Sequence, residues 1–332
     1  MIDLIFKSAY GELFPNDHTK IITKYKMMCK QVHPDVCGDP RAADAFARLT
    51  ALYNQALEAN EKGIWEKPNY KEFKTTGGKT LQISYQYHCV FELGEYYVCK
   101  RNIIYAFDFS KKKYYNNYIK NIKNFHFANA GMEKMFKPIL PQLVAEYDTE
   151  DNKHIIVLSK TEDVYPLRCV MENFYKGNIP DTHLAWIMSR LMNLCCFLKY
   201  SGQVLNGLTI DNLFVSLQYH TILLEGGWWY AVDEDKDMIG TTKDIFNIMP
   251  PKVKANKIAS SVTDIESVKA FGRKYLADSA PQAFKDFLNS GSQSDSMKEM
   301  AKWDEALEKS YGKRRFIKIE ATENDIYKKE RN

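Results

Sequence analysis

Apolar residues recur at helical spacing through the first 65 or so positions of the chain. From Thr19 to Val32, Ile22, Tyr25, Met28, Cys29 and Val32 fall on one side, with Lys20, Lys24, Lys26 and Lys30 among the remaining positions, which predicts a basic amphipathic helix. It stops at His33-Pro34, because a residue before proline is pushed out of the α region and proline lacks a backbone donor. Asp39-Pro40 then reads as an N-cap with proline at the first position. It opens a helix from Ala42 to Ala59 with Phe46, Leu49, Leu52, Tyr53 and Ala56 on one face. An antiparallel helical pair is expected.

The pattern changes after Lys62. Gly63, Pro68, Gly77 and Gly78 among charged residues mark a boundary, and from Thr80 the period becomes that of strands. LQISYQYHCVFEL, YYVCK and NIIYAFDF are aromatic and β-branched, with Gly94-Glu95 and Arg101-Asn102 as the expected turns. Lys111 to Lys123 has mediocre propensity for helix and loop alike and is read as helix. His154 to Leu158 is a short strand. The longest helical signal runs from Asp181 to about Tyr200, carried by Leu184, Ile187, Met188, Leu191, Leu194, Cys195 and Leu198, and Ser201-Gly202 ends it. Leu213–Val215 and Thr221–Leu224 form a hairpin, and from Val262 onward the chain is mainly helical, with loops at Ser290–Ser294 and Gly312.

Composition narrows the classes. The 332 residues are 45% hydrophobic and 27% charged, the profile of a globular chain of about two domains and not of a disordered or collagenous one. Seven cysteines without a C-x-x-C pair point to reduced, buried thiols, and His88 with Cys89, or His18 with His33, lack a second ligand pair at zinc spacing. No run of 18 apolar residues and no signal-like start occurs, so a cytoplasmic chain without a membrane partner is expected. With 46 basic against 42 acidic residues, the near balance argues against a nucleic-acid partner. The basic clusters at Lys111–Lys113, Lys252–Lys257 and Lys313–Arg315 read as solvated faces or partner surfaces.

Helix, His33-Pro34-Asp35, loop, helix with Phe46 and Leu49 resembles the J domain of DnaJ-type co-chaperones, and KYKMMCKQVHPDVCGDPRAADAFARLTALYNQAL matches throughout. The resemblance implies that His33, Pro34 and Asp35, with Lys20, Lys24, Lys26 and Lys30, engage a DnaK-type chaperone. IFKSAYGELFPND, before the basic helix, has no clear match to that family's first helix.

The remainder resembles a bilobal protein kinase. LNGLTIDNLFV at 205–215 looks like the catalytic loop, ILLEGGW at 222–228 like the metal-loop strand, MPPKV at 249–253 like the end of the activation segment. Asp264 looks like the aspartate that braces the catalytic loop. The whole chain is similar to bacterial and phage proteins that fuse the two modules, through Gly94-Glu95, the Asp181–Gly202 helix, Pro250-Pro251 and the Trp303–Ile319 segment.

The resemblance also shows what is missing. Leu205, Asn206 and Gly207 stand where His, Arg and the catalytic Asp belong, and Phe107 or Asp108 stands where a lysine holds phosphates. Glu225 or Gly227 occupies the metal-binding aspartate, a single Gly94 replaces the glycine-rich loop, and Lys252 replaces a structural glutamate. Asn212 is the intact position, read as a loop-backbone partner, and Asp264 as an N-cap that braces the loop. Glu225 reads as a surface acid in a Gly-rich turn, and Trp228, Trp229 and Tyr230 as core.

The expected fold is therefore multidomain: an N-terminal all-α, J-domain-like hairpin over 1–65, a linker over 66–79, and an α+β kinase-like fold with its sheet lobe over 80–160 and its helical lobe over 161–320, then a tail over 321–332. The expected function is a pseudokinase adaptor that brings a DnaK-type chaperone, or a host factor if the source is a phage, to a client protein in the bacterial or host cytosol. No cofactor is expected. The alternative is an atypical metal-dependent phosphotransferase or nucleotidyl transferase that uses Mg-ATP with Asn212, Glu225, Gly207 and Gly227.

Overall fold

The computed structural model describes residues 1–63, 69–312 and 318–327. The described residues divide into two compact units: 1–63, 69–73 and 80–87 form one, and 74–79, 88–312 and 318–327 the other.

Four helices open the first unit: α1 Ile2–Lys7, α2 Tyr10–Leu13, α3 His18–Val32 and α4 Ala42–Glu61. The first two supply Ile2, Ile5 and Leu13 to the core of this unit, although the sequence offered no family match there. Helices α3 and α4 run antiparallel: Tyr25 stacks on Tyr53 at 4.0 Å and bonds Thr50 at 3.1 Å, while His33 meets Phe46 edge-on at 5.4 Å. Two local expectations shift. The buried row of α3 is Ile21, Met28 and Val32, with Tyr25 and Cys29 half-buried against the same core, and Ile22 lies one position, about 100°, off Ile21. Asp39 is not the N-cap of α4; Arg41 is, and Asp39 Oδ1 accepts from the Arg41 backbone N–H at 2.9 Å instead.

The 66–79 stretch is not a plain linker. Among its described residues β1, Tyr70–Lys74, is already a strand, lying beside β2, Thr80–Phe91; residues 66–68 fall outside the described residues. The chain passes from one unit to the other within β2.

In the second unit the sheet continues β2-β3-β4-β6-β5, with β3 Gly94–Cys99, β4 Asn102–Asp108, β5 Leu143–Asp148 and β6 Lys153–Ser159. The β3–β4, β4–β6 and β5–β6 pairs are antiparallel. The β2–β3 turn is Glu92-Leu93, not Gly94-Glu95: Gly94 opens β3 at φ +150°, where a Cβ would lie 2.1 Å from the Ala106 carbonyl oxygen. The next bend is Lys100-Arg101, so Asn102 already belongs to β4. The 111–123 stretch is helix α5, Lys112–Ile122, and it buries Tyr115, Tyr118, Asn121 and Ile122. Helix α6, Ala130–Phe136, links it to β5.

After β6 come β7 Val164–Pro166, a short helix α7 Leu167–Cys169 and a π-helical turn over 170–174. Then α8, Asp181–Tyr200, forms the axis of the helical part, buried almost all round by Leu184, Ile187, Met188, Leu191, Leu194 and Leu198. Strand β8 Gln203–Val204 pairs with β11 Val232–Asp233, and between them β9 Leu213–Ser216 and β10 Thr221–Leu224 form the expected hairpin. The helices that follow are α9 Lys243–Ile248, α10 Pro251–Asn256, α11 Ser261–Tyr275, α12 Gln282–Asn289, α13 Ser296–Tyr311 and α14 Glu323–Ile326.

Gly272 in α11 allows close packing, since a Cβ there would meet Leu288 and Met188 at 2.6 Å. Lys269 and Glu299, both fully buried, pair at 2.8 Å, which keeps two charges tolerable in the interior. Trp303 is fully buried among Phe284 and Phe287 and donates to Ser189 Oγ at 2.9 Å. Among the described residues no helix is long and apolar enough to cross a membrane.

Candidate functional sites

In the first unit the site is the turn between α3 and α4. His33 is extended, as the residue before proline must be, and its carbonyl accepts from Val36 N–H at 3.0 Å and Cys37 N–H at 2.8 Å. Its ring Nδ1 accepts from Asp35 N–H at 3.2 Å, and Phe46 holds the ring from the side. The turn is thus organised by His33, while the Asp35 side chain stays 85% exposed. Lys20, Lys26 and Lys30 are exposed on α3, and Lys24 is half-buried. Arg41 binds Asp39 at 3.0 Å and Asp3 at 2.8 Å, tying the loop to α1 and holding the Asp39 carboxyl below its ordinary range.

In the second unit the polar centre grows around Asn212, at the end of a 3-10 turn, Ile210–Asn212, that leads into β9. Its amide donates to the Gly207 carbonyl, and its own carbonyl accepts from Glu225 N–H at 3.2 Å and Gly226 N–H at 3.1 Å. Two glycines make room: a Cβ on Gly226 would lie 2.5 Å from Asn212 Oδ1, and Gly227 sits at φ +86° with its own Cβ position 3.1 Å from the Asn212 amide nitrogen. Asn212 therefore clasps the 205–207 loop to the segment after β10.

Asp264 holds the same loop from below. Oδ2 accepts from Leu205 N–H at 2.8 Å and Oδ1 from Asn206 N–H at 3.1 Å. It lies within the first turn of α11, whose N-cap is Ser260, so it is not the cap the sequence suggested. Burial raises its carboxyl to about 7, an effect the two backbone donors only partly offset. Asn206, left-handed at φ +55° and fully buried, accepts from Thr241 Oγ1 at 2.6 Å through its carbonyl.

Glu225 departs most from expectation. It is 2% exposed, not a surface acid, and burial pushes its carboxyl up to about 8, so it carries its proton at neutral pH. The residues around it are fixed by α5, a contribution the sequence did not reveal. Tyr118 Oη donates to the Glu225 carbonyl at 2.7 Å, Asn121 donates to Trp228 and Ala231 carbonyls at 2.9 and 3.0 Å, and Asn117 donates to Ala231 at 2.8 Å. The asparagine pair at i, i+4 was the available signal. Trp228, Trp229 and Tyr230 are all buried core, Trp229 packed on Tyr105 and Tyr118.

Beside this centre lies a cleft of about 350 Å³ whose lining includes Phe91, Tyr96, Tyr105 and Trp229 on its apolar side and Asp211 and Arg168 on its polar side. The Arg168 guanidinium grips Asp211 through two nitrogens, one at 2.7 Å, and reaches Glu172 at 2.6 Å. Phe107, the position where the kinase resemblance asks for lysine, is fully buried against Tyr115, Tyr118 and Trp229, while Asp108 is exposed at the strand end. His88 bonds Glu95 at 2.9 Å and stacks on Tyr97. Lys252 is exposed. The basic cluster at 313–315 lies outside the described residues.

No family model and no curated protein matches the chain. Among solved structures it is similar to "Structure of vaccinia related kinase 3", with a TM-score of 0.43 and 13% identity over 74% of this chain and 78% of that chain.

Proposed function

We propose that the chain is a non-catalytic adaptor. The hairpin of the first unit engages a DnaK-type chaperone through His33, Pro34, Asp35 and the lysines of α3, and the second unit, a kinase-like body with Phe107 where the resemblance asks for a phosphate-holding lysine, holds a client protein. The observation that carries this reading is the turn itself: a histidine spends its ring and its carbonyl on local backbone, and leaves one carboxylate, Asp35, projecting beside a lysine-bearing helix. Such a charged, preorganised surface sets encounter rate and register with a partner of opposite charge. The kinase-like reading of the second unit is supported by the element order, by Asp264 beneath the 205–207 loop and by Asn212 between that loop and the segment after β10.

The non-catalytic reading is supported by the fates of the key positions. Phe107 is core, the Asn212 amide is spent on Gly207, and Glu225 is an interior, protonated carboxyl. Steady-state ATP hydrolysis by a DnaK-type chaperone tests the proposal. The full chain is expected to raise the rate several-fold, an effect lost in Asp35→Asn and weakened by salt. No stimulation, or equal stimulation by the variant, refutes it.

A further inference from the structure

Residues 318–327 belong to the second unit and play no part in either site above. Ile319 and Ile326 are buried, Ile326 completely. Asp325 Oδ2 accepts from Thr322 N–H at 2.8 Å and from Thr322 Oγ1 at 2.6 Å, which shapes the turn into α14. Asn173 Nδ2 donates to the Ile326 carbonyl at 2.7 Å, and the Tyr327 ring lies 5.6 Å from that of Tyr165. Cys169 and Cys99 are also in the surroundings of Tyr327, whose phenol burial raises above its ordinary value.

These contacts sit on the joint between sheet and helices. Cys99 ends β3, Tyr165 lies in β7, and Asn173 lies in the π-helical turn. That turn continues directly from α7, which carries Arg168, and Arg168 places its guanidinium on Asp211 at the cleft. Single π turns occur frequently at functional sites. A segment anchored on this turn has a short mechanical path to the cleft.

We propose that residues 318–327 form a strap over the joint: docked on the π turn, it fixes Arg168 over Asp211 and holds the cleft narrow, and its release widens the cleft. The inference stands on these contacts and does not depend on the chaperone or kinase-like reading. Two cysteines report the two halves of the claim: Cys169, buried near the strap, and half-buried Cys89, which lines the cleft.

The test is iodoacetamide labelling of the full chain, resolved by peptide mass spectrometry, in wild type, Ile326→Asp and Asn173→Ala. Ile326→Asp is expected to speed labelling at least ten-fold at Cys169 and three-fold at Cys89, with Asn173→Ala moving both in the same direction by less. Faster Cys169 with unchanged Cys89 overturns the coupling, and no change at either overturns the strap. Cys195, buried in α8, monitors global unfolding. Should Ile326→Asp expose it, Asn173→Ala decides by the direction of the same two rates.

Discussion

Replacing Glu225 by Gln removes a single titrating group from the interior, and its effect should depend on pH in a calculable way. The Glu225 carboxyl sits at about 8 against an ordinary 4.5, the displacement coming from burial. Folding therefore binds a proton at intermediate pH. A carboxyl raised in this sense contributes stability that is complete below about 4.5 and is lost as pH climbs through about 8. Each pH unit inside that window is worth about 1.4 kcal/mol. Wild type should thus lose about 2.7 kcal/mol relative to Glu225→Gln on going from about pH 5.5 to 7.5. The variant adds a constant offset from its amide, which leaves this pH-dependent difference unchanged.

Urea denaturation followed by tryptophan fluorescence measures it, because Trp186, Trp228, Trp229 and Trp303 all belong to the second unit. A stability difference between the two proteins that stays flat across the window would mean that Glu225 is ionised in the fold, and would refute the reasoning.

Other substitutions probe the same centre. Asp264→Asn puts an amide N–H against one of the two loop N–H groups at Leu205 and Asn206 and should cost about 2 kcal/mol, read as a lower urea midpoint. Gly226→Ala drives a methyl into the Asn212 side chain and should cost about 1 to 3 kcal/mol, while Gly38→Ala, with nothing within 4 Å, should stay within about 0.5 kcal/mol by the same assay. Phe107→Lys, at the position where the kinase resemblance asks for a lysine, should destabilise by more than about 3 kcal/mol, because it trades a packed ring for a buried charge. Stability equal to wild type would mean that this strand has room for a phosphate-holding group.

Periodicity made the main helices and strands legible, because α3, α4, α8 and the β9–β10 hairpin bury residues whose spacing is local. What stayed hidden depends on distant partners. Glu225 follows an apolar strand and precedes two glycines, a local pattern of a surface turn, yet its burial is set by α5, whose Tyr118 is 107 residues away. Ile21 and Ile22 are equally apolar, and the core that α3 shares with α1, α2 and α4 takes Ile21. Strand β1 lay among glycines and charges that read as a boundary, since a partially buried edge carries a weak alternation. Asn212 and Asp264 were singled out through resemblance, and their hydrogen bonds give them a structural task.

That the chain works by binding and not by catalysis is tested most directly by thermal denaturation of the full chain with and without ATP, ADP and magnesium, beside Asn212→Ala and Glu225→Ala. An unchanged transition in wild type is expected. A magnesium-dependent rise, worth about 2.7 kcal/mol at a hundredfold excess of nucleotide over its Kd and lost in both variants, would contradict the adaptor reading and establish a working nucleotide site.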